Sequence, residues 1–154
     1  FDVHRFGADR PCRLGGVDCA GAPGLVAHSD GDVLIHALCD AMLGALALGD
    51  IGKLFPDTDV AYLNADSRGL LRQVVDRVHA CGYVVGNVDI TLICQIPKLA
   101  PYRDKIRALL SSDLKVELEQ VSVKATTTER LGFTGRQEGI ACEAVVLLLC
   151  SESA

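Results

Sequence analysis

Asp2 and His4 stand two residues apart near the start of the chain. If that segment is extended, both side chains leave the same face. They then offer a carboxylate oxygen and an imidazole nitrogen to one point in space. Asp32, His36 and Asp40 follow one another at intervals of four, which lines them up on one face of a helix. That helix is otherwise apolar, and polar groups on a buried face need partners. Asp2, His4 and His36 together give two imidazoles and one carboxylate with a fourth position open, the donor set of a catalytic zinc site. Asp40, one turn beyond His36, is placed to accept the other ring N–H and fix the tautomer. Taken singly, each residue is as well explained by a satisfied core histidine or a solvated helix side. As a set, they match known ligand chemistry and favour a metal.

A second group of residues suits phosphate. His28, Ser29, Asp30, Gly31 and Asp32 lead into the same helix, and helix N-termini attract anions. The two aspartates there favour a metal or a helix cap over a bare phosphate, and an ordinary capping loop fits the spacing equally well. The run Lys124-Ala125-Thr126-Thr127-Thr128-Glu129 ends a strand with hydroxyls and free backbone N–H groups, which are good phosphate donors; a β-branched edge run is the alternative. Lys98 follows Pro97 and can act as a point charge. Arg136 adds a cation beside Phe133, Thr134 and Gly135. There is no Walker loop and no GxSxG, and nothing resembles an activated Ser or Cys nucleophile. If the chain does phosphate chemistry, the nucleophile is water or part of the substrate.

The elements that must hold these residues can be read from periodicity and turn chemistry. Residues 1–6 read as the end of a strand, and Gly15, Gly16, Gly21 and Gly24 punctuate a turn-rich segment. Ser29 and Asp30 precede a helix over 32–48, ended by Gly49. A long loop at 50–64 contains Gly, Pro and three Asp. A second helix spans 66–80, with Asp66 or Ser67 as cap and Gly82 as stop. Strands follow at 87–94, 120–126 and 140–150, with a helix at 102–111 and a Gly-rich loop at 127–139. Strands and helices mix, as α/β or α+β, and the two long loops are where function is expected.

Composition bounds the alternatives. The chain has 154 residues, 49% apolar and 23% charged, enough for one folded domain with a core. Its net charge of -5 lacks the footprint of a general nucleic-acid binder. No apolar run is long enough to span a membrane. The sequence starts at Phe1 without Met, so residues are expected upstream. Seven cysteines, an odd number without a CxxC pair, suggest reduced thiols rather than disulfides or a thiolate zinc site. Cys39, Cys94, Cys142 and Cys150 lie in apolar stretches and are expected to be buried.

Taken together, FDVH at 1–4, AHSDGDVLIHALCDA at 27–41, GDIGKLFPDTD at 49–59, GNVDITLI at 86–93 and VKATTTERLGFTGRQEGIACEAV at 123–145 resemble the 2-C-methyl-D-erythritol 2,4-cyclodiphosphate synthases of the non-mevalonate isoprenoid pathway. The resemblance spans the chain. It implies one α+β domain over 1–154, a mixed sheet with helices on one face, and a homotrimer with active sites at subunit interfaces. It makes Asp2, His4 and His36 the ligands of one zinc per subunit, with manganese or cobalt as substitutes. His28 and Thr127 become transition-state stabilisers.

The substrate is expected to touch the metal strand at Asp2, Val3 and His4, and the loop at His28 and Ser29. Asp50, Ile51 and Gly52, with Phe55, Pro56, Asp57, Thr58 and Asp59, hold the erythritol and its phosphate. Cys94, Gln95, Ile96, Pro97, Lys98, Leu99 and Ala100 face Thr126, Thr127, Thr128 and Glu129 around the cytidine diphosphate. Phe133 and Arg136 complete the set.

The implied reaction is attack of the substrate's own 2-phosphate on its β-phosphate, with CMP leaving, so positioning does most of the work. Magnesium would accompany the diphosphate, with Glu129 as its best carboxylate ligand. Phe1, Phe133, Arg136 and Glu143 further suggest a three-fold cavity for an isoprenoid diphosphate. No nucleic acid or membrane partner is expected, and the compartment is cytoplasm, or plastid stroma in a plant or alga. A zinc phosphohydrolase and a non-catalytic trimeric binding protein are the rivals.

Overall fold

The computed structural model describes residues 1–56, 58–60 and 64–151; Asp57, expected in the substrate site, lies outside them. The chain opens with β1 (Asp2–Leu14) and β2 (Val17–Leu25), joined by a tight turn. The turn residues Gly15 and Gly16 have φ of 59° and 79°, the conformation a two-residue hairpin demands. A Cβ on either would come within 2.4 Å of the Ile106 or Arg68 side chain, so glycine is required there twice over. The turn-rich reading of this stretch is therefore corrected to a hairpin. Its pairing shifts register between Phe6 and Ala8, Ala8 and Pro11, and Pro11 and Cys12. Such bulges accommodate Pro11 and Pro23 on an edge and mask the alternation a strand would show.

Helix α1 (Val33–Ala45) follows, with Asp32 as N-cap. It stops short of residue 48 because Ala47 turns to a positive φ of 55°. The loop after it contains a short helix, α2 (Ile51–Leu54). Helix α3 (Ser67–Ala80), strand β3 (Tyr83–Ile93), helix α4 (Arg103–Leu114) and strand β4 (Val121–Thr126) follow in the predicted order, but β3 starts ahead of the expected residue 87 and α4 runs past the expected residue 111. The Gly-rich loop contains α5 (Gly132–Gly135), and β5 (Gly139–Cys150) is the last strand.

The five strands form one mixed sheet in the order β2-β1-β5-β3-β4. Only β3 and β4 run parallel, because α4 lies between them as a crossover. Helix α1 packs on β5 and β1, α3 on β3, and α4 on β4. The core joins Leu34, Ile35 and Leu38 of α1 to Leu71 and Val74 of α3 and to Ile90, Leu92 and Ile140 of the sheet. This is α+β, as the resemblance implied. Toward its end β5 alternates: Ala144, Val146 and Leu148 pack on the core, while Val145, Leu147 and Leu149 are exposed. Cys150 ends that strand exposed and Cys81 is exposed too, whereas Cys12, Cys19, Cys39, Cys94 and Cys142 are buried. The expectation of a buried Cys150 is thus corrected.

Candidate active site

Pairing with β5 fixes the metal strand. Asp2 lies opposite Cys142 and His4 opposite Ile140, so both side chains project from one face of β1 toward α1. There they meet His36. The Asp2 Oδ2 atom is 2.8 Å from His4 Nε2 and 3.4 Å from His36 Nδ1, and the two imidazole nitrogens are 3.1 Å apart. Tetrahedral zinc at ordinary bond lengths spaces its ligand atoms about 3.3 Å apart. This is the one group of three or more metal-binding side chains found among the described residues.

The outer nitrogens of both rings are engaged. His4 Nδ1 lies 3.0 Å from the carbonyl oxygen of Val26, which can only accept, so Nδ1 carries the hydrogen and Nε2 presents a lone pair to the cluster. His36 Nε2 lies 2.9 Å from Ser67 Oγ and 3.1 Å from Ser29 Oγ. With hydrogen on that nitrogen, Nδ1 also presents a lone pair. Two lone pairs and a carboxylate oxygen converging this closely repel one another unless a cation sits among them. The residues therefore fit a divalent metal. Burial raises the Asp2 carboxyl, yet the adjoining His36 and His4 rings hold it well below the usual carboxylate range. Burial lowers His4, but the Asp2 carboxylate and the Val26 carbonyl raise it above an ordinary histidine.

Asp40 does not do what its spacing suggested. Its Oδ1 accepts the backbone N–H of Ile51 at 2.7 Å, and the outer nitrogen of His36 belongs to two serines. Asp40 instead anchors the start of α2, one wall of the site. Asp50 caps the same helix through Lys53 N at 2.8 Å. Asp32, also expected on the metal face, turns inward. It accepts N–H groups from Gly15, Gly16 and Ile35 at 2.9, 2.7 and 3.1 Å. Ser67, read as a possible cap, has its hydroxyl on His36; the cap is Asp66. Nothing in the local sequence marks Ser67 as a site residue, since it reaches His36 across 31 positions.

The cluster opens into a cavity of about 420 Å³ lined by His4, His28, Ser29, His36, Ile51, Gly52 and Phe55 among others. His28 is half-buried, with Nε2 3.4 Å from the Asp59 carbonyl. Pro56, Thr58 and Asp59 continue along the exposed rim. A second cavity, of about 220 Å³, is lined by Cys94, Gln95, Pro97, Lys98 and Leu99 facing Ala125, Thr126 and Thr127. The parallel pairing of Ile93 with Thr126 brings these two segments to one end of the sheet. Gln95 Oε1 is buried there without a hydrogen-bond partner. No residue lines both cavities. Beside the second, Thr127 Oγ1 donates to Glu129 at 3.0 Å, and Thr128 bonds Leu131 O and Thr134 at 2.6 and 2.8 Å. Phe133 is partly exposed on α5. Arg136 pairs with Glu138 at 2.9 Å, while Glu143 lies opposite Thr91 in the sheet.

A family model described as the YgbB family matches residues 1–149. The chain belongs to the YgbB family. Relatives of this YgbB chain include a 2-C-methyl-D-erythritol 2,4-cyclodiphosphate synthase of Haemophilus influenzae. It is 65% identical over 149 residues, covering 97% of this chain and 94% of the relative. One of the same name from Pasteurella multocida is 63% identical over 151 residues, covering 98% and 96%. Among solved structures, the bifunctional IspDF of Campylobacter jejuni superposes with a TM-score of 0.94 at 47% identity, over 98% of this chain and 41% of that one. The IspF of Plasmodium falciparum, in a CDP complex, gives 0.82 at 34% identity, over 98% and 91%. The YgbB model and these relatives span nearly all of the chain, as the sequence motifs do.

Proposed function

We propose that this protein is a phosphorus–oxygen lyase that converts 4-diphosphocytidyl-2-C-methyl-D-erythritol 2-phosphate to 2-C-methyl-D-erythritol 2,4-cyclodiphosphate and CMP. The observation that carries the proposal is the convergence of Asp2 Oδ2, His4 Nε2 and His36 Nδ1 on the wall of a cavity large enough for a phosphorylated polyol, in a chain 65% identical to a synthase of that name. Asp2, His4 and His36 hold zinc, with manganese or cobalt as substitutes. When bound, zinc supplies Lewis acidity and positive charge at the β-phosphate, and magnesium brought with the diphosphate neutralises further charge.

The remaining work falls to the chain. The wall of Ile51, Gly52 and Phe55, with Asp50 and the 56–59 rim, holds the erythritol so that its 2-phosphate faces the β-phosphate. An intramolecular attack gains most from such orientation. His28 donates to a phosphate oxygen at the mouth of the cavity. The cavity of Cys94 to Leu99, with Ala100 and the Thr126 to Glu129 turn, takes the cytidine diphosphate. Its unmet acceptor, Gln95 Oε1, suits a ligand N–H. Thr127 Oγ1 stabilises the charge that develops as CMP leaves, and Glu129 ligates magnesium.

Among the described residues the two cavities share no lining residue, which suits a complete site that joins one subunit's metal pocket to another's nucleotide pocket. A homotrimer meets that need and covers Val145, Leu147 and Leu149, exposed at 69, 54 and 49%. Phe1 and Phe133 would then border a three-fold cavity open to an isoprenoid diphosphate. The reaction belongs to isoprenoid biosynthesis in bacterial cytoplasm, or in plastid stroma in a plant or alga.

The test is incubation with the cytidine diphosphate substrate and magnesium, before and after zinc removal, with chromatographic detection of CMP. CMP release that survives zinc removal or His36→Ala refutes the metal's part. Inorganic phosphate without CMP favours a zinc phosphohydrolase instead. Light scattering that gives a single-chain mass sinks the shared site.

A further inference from the structure

We infer that Asp30 and Ser67 act as a pair behind the metal cluster that decides which nitrogen of His36 carries hydrogen, keeping its Nδ1 lone pair free for a cation. The inference rests on the reading of Asp2, His4 and His36 as metal ligands. It makes Asp30 and Ser67 positioning residues, since neither touches substrate or metal.

The argument is one of donor counting. Ser67 is fully buried, and its Oγ has two neighbours, Asp30 Oδ1 and His36 Nε2, the latter at 2.9 Å. A hydroxyl has one hydrogen to give, and an ionised carboxylate can only accept. The Ser67 hydrogen therefore goes to Asp30. The Oγ lone pairs face His36, which has to donate from Nε2. Neutral imidazole carries one N–H, so Nδ1 is left as a lone pair directed at Asp2 Oδ2 and His4 Nε2.

Asp30 is held in place for this. Its Oδ2 accepts Ser67 N at 3.0 Å, its Oδ1 accepts Asp32 N at 3.2 Å, and its own N–H donates to Ala65 O at 3.2 Å. Arg13 Nη1 stands 3.9 Å from Oδ2. The two amides and the guanidinium around the carboxylate can only donate, so they keep Asp30 an acceptor and give Ser67 no other direction for its hydrogen. Ser29 Oγ, at 3.1 Å from the same nitrogen, can accept as well. Among the described residues no carboxylate accepts from it, so it does not set the direction alone.

A merely structural role is the competing explanation, because Asp30 also ties down the start of α3. The two separate in a direct measurement. Nitrogen-15 NMR of the metal-free protein, labelled at histidine, reads the His36 tautomer. Zinc affinity is read by competition with a chromophoric chelator. In wild type His36 carries hydrogen on Nε2. In Asp30→Asn the amide N–H₂ can turn toward Ser67, the hydroxyl reverses to donate to Nε2, and hydrogen moves to Nδ1. Zinc affinity falls about 10- to 100-fold in Asp30→Asn and Ser67→Ala, the usual loss when a ligand's outer partner is removed. Ser67→Thr keeps the hydroxyl and recovers most of the affinity.

Lower melting temperatures with an unchanged tautomer and zinc affinity within about twofold of wild type, for both Asp30→Asn and Ser67→Ala, overturn the inference. Should one variant not fold, the other decides. Wild type that takes up no zinc refutes the metal reading, and the tautomer of the metal-free protein still decides the role of the pair.

Discussion

Asp32 sets two large effects against each other, and the sign of their difference is measurable. Its carboxylate is fully buried and accepts three backbone N–H groups, two from the Gly15-Gly16 turn and one from the first turn of α1. Burial nevertheless dominates and pushes its pKa from 3.8 up to about 6, with the Gly16, Gly15 and Ile35 amides pulling the other way. A folded-state value above the unfolded one means that the stabilising contribution is complete below pH 3.8 and is lost as pH rises through about 6. The shift corresponds to about 3 kcal/mol.

Asp32→Asn removes that charge and keeps the shape. The amide oxygen can retain Gly15 and Ile35, but its N–H₂ then faces Gly16 N. Gly16 N–H and the amide N–H₂ then both lack an acceptor, and each such group costs about 1–3 kcal/mol. At pH 8 the absent charge returns about 3 kcal/mol of that loss, so the variant lies between about 1 kcal/mol more stable and about 3 kcal/mol less stable than wild type. At pH 4 that gain has largely gone, and the variant is the less stable by about 2–6 kcal/mol. Urea unfolding of both proteins between pH 4 and 8, with chelator throughout, gives the difference directly; titrating groups remote from Asp32 cancel in it, while Asp30 and His4, which feel its charge, add a smaller contribution. A difference that is flat, or that favours the variant more strongly in acid, refutes the reasoning. It would mean that the three amides, not burial, set the ionisation of Asp32.

Other outcomes follow from the same structure. Thr127→Ala should slow turnover on the order of 10²-fold with a melting temperature within about 2 °C of wild type, because its exposed hydroxyl bonds only Glu129; a large thermal loss would show a structural role. Asp113 is buried and bridges Arg68, at 2.7 and 3.0 Å, to Arg72 at 3.2 Å. Asp113→Ala should cost about 2–4 kcal/mol in urea unfolding, since both arginines can partly rehydrate; a change under about 1 kcal/mol contradicts this. A chromogenic disulfide reagent should find two fast thiols per native chain, Cys81 and Cys150. Burial pushes Cys12 and Cys19 up to about 12 and raises Cys39, Cys94 and Cys142 as well, so a third rapid reaction would place one of them at the surface.

The parts of this protein that were legible in its sequence are those where one physical effect dominates locally. Helix α3 shows a clean apolar stripe and a stop at Gly82. Strands β3 and β4 alternate because one face is buried. The hairpin of β1 and β2 was hidden because its bulges break the two-residue period and place Pro and Gly inside strands. The candidate metal ligands were legible by chemical type, and β1 and α1 bring them together. Their supports were not. Asp40 had the right spacing for His36 but found a closer partner in Ile51 N, while Ser67 reached His36 from another helix. A side chain's periodicity gives the face it leaves from, and the chain's long-range path decides what it meets.

The pairing of β1 with β5 also bears on how the protein is made. Asp2 and His4 are made well before the backbone partners that hold them in register, Gly139 to Cys142. Helix α1, with His36, lies against that same late strand. Contacts so distant along the chain form late in folding. The three donor atoms therefore have no fixed arrangement until that late strand is in place. The candidate metal site cannot assemble on a chain that stops short of Gly139.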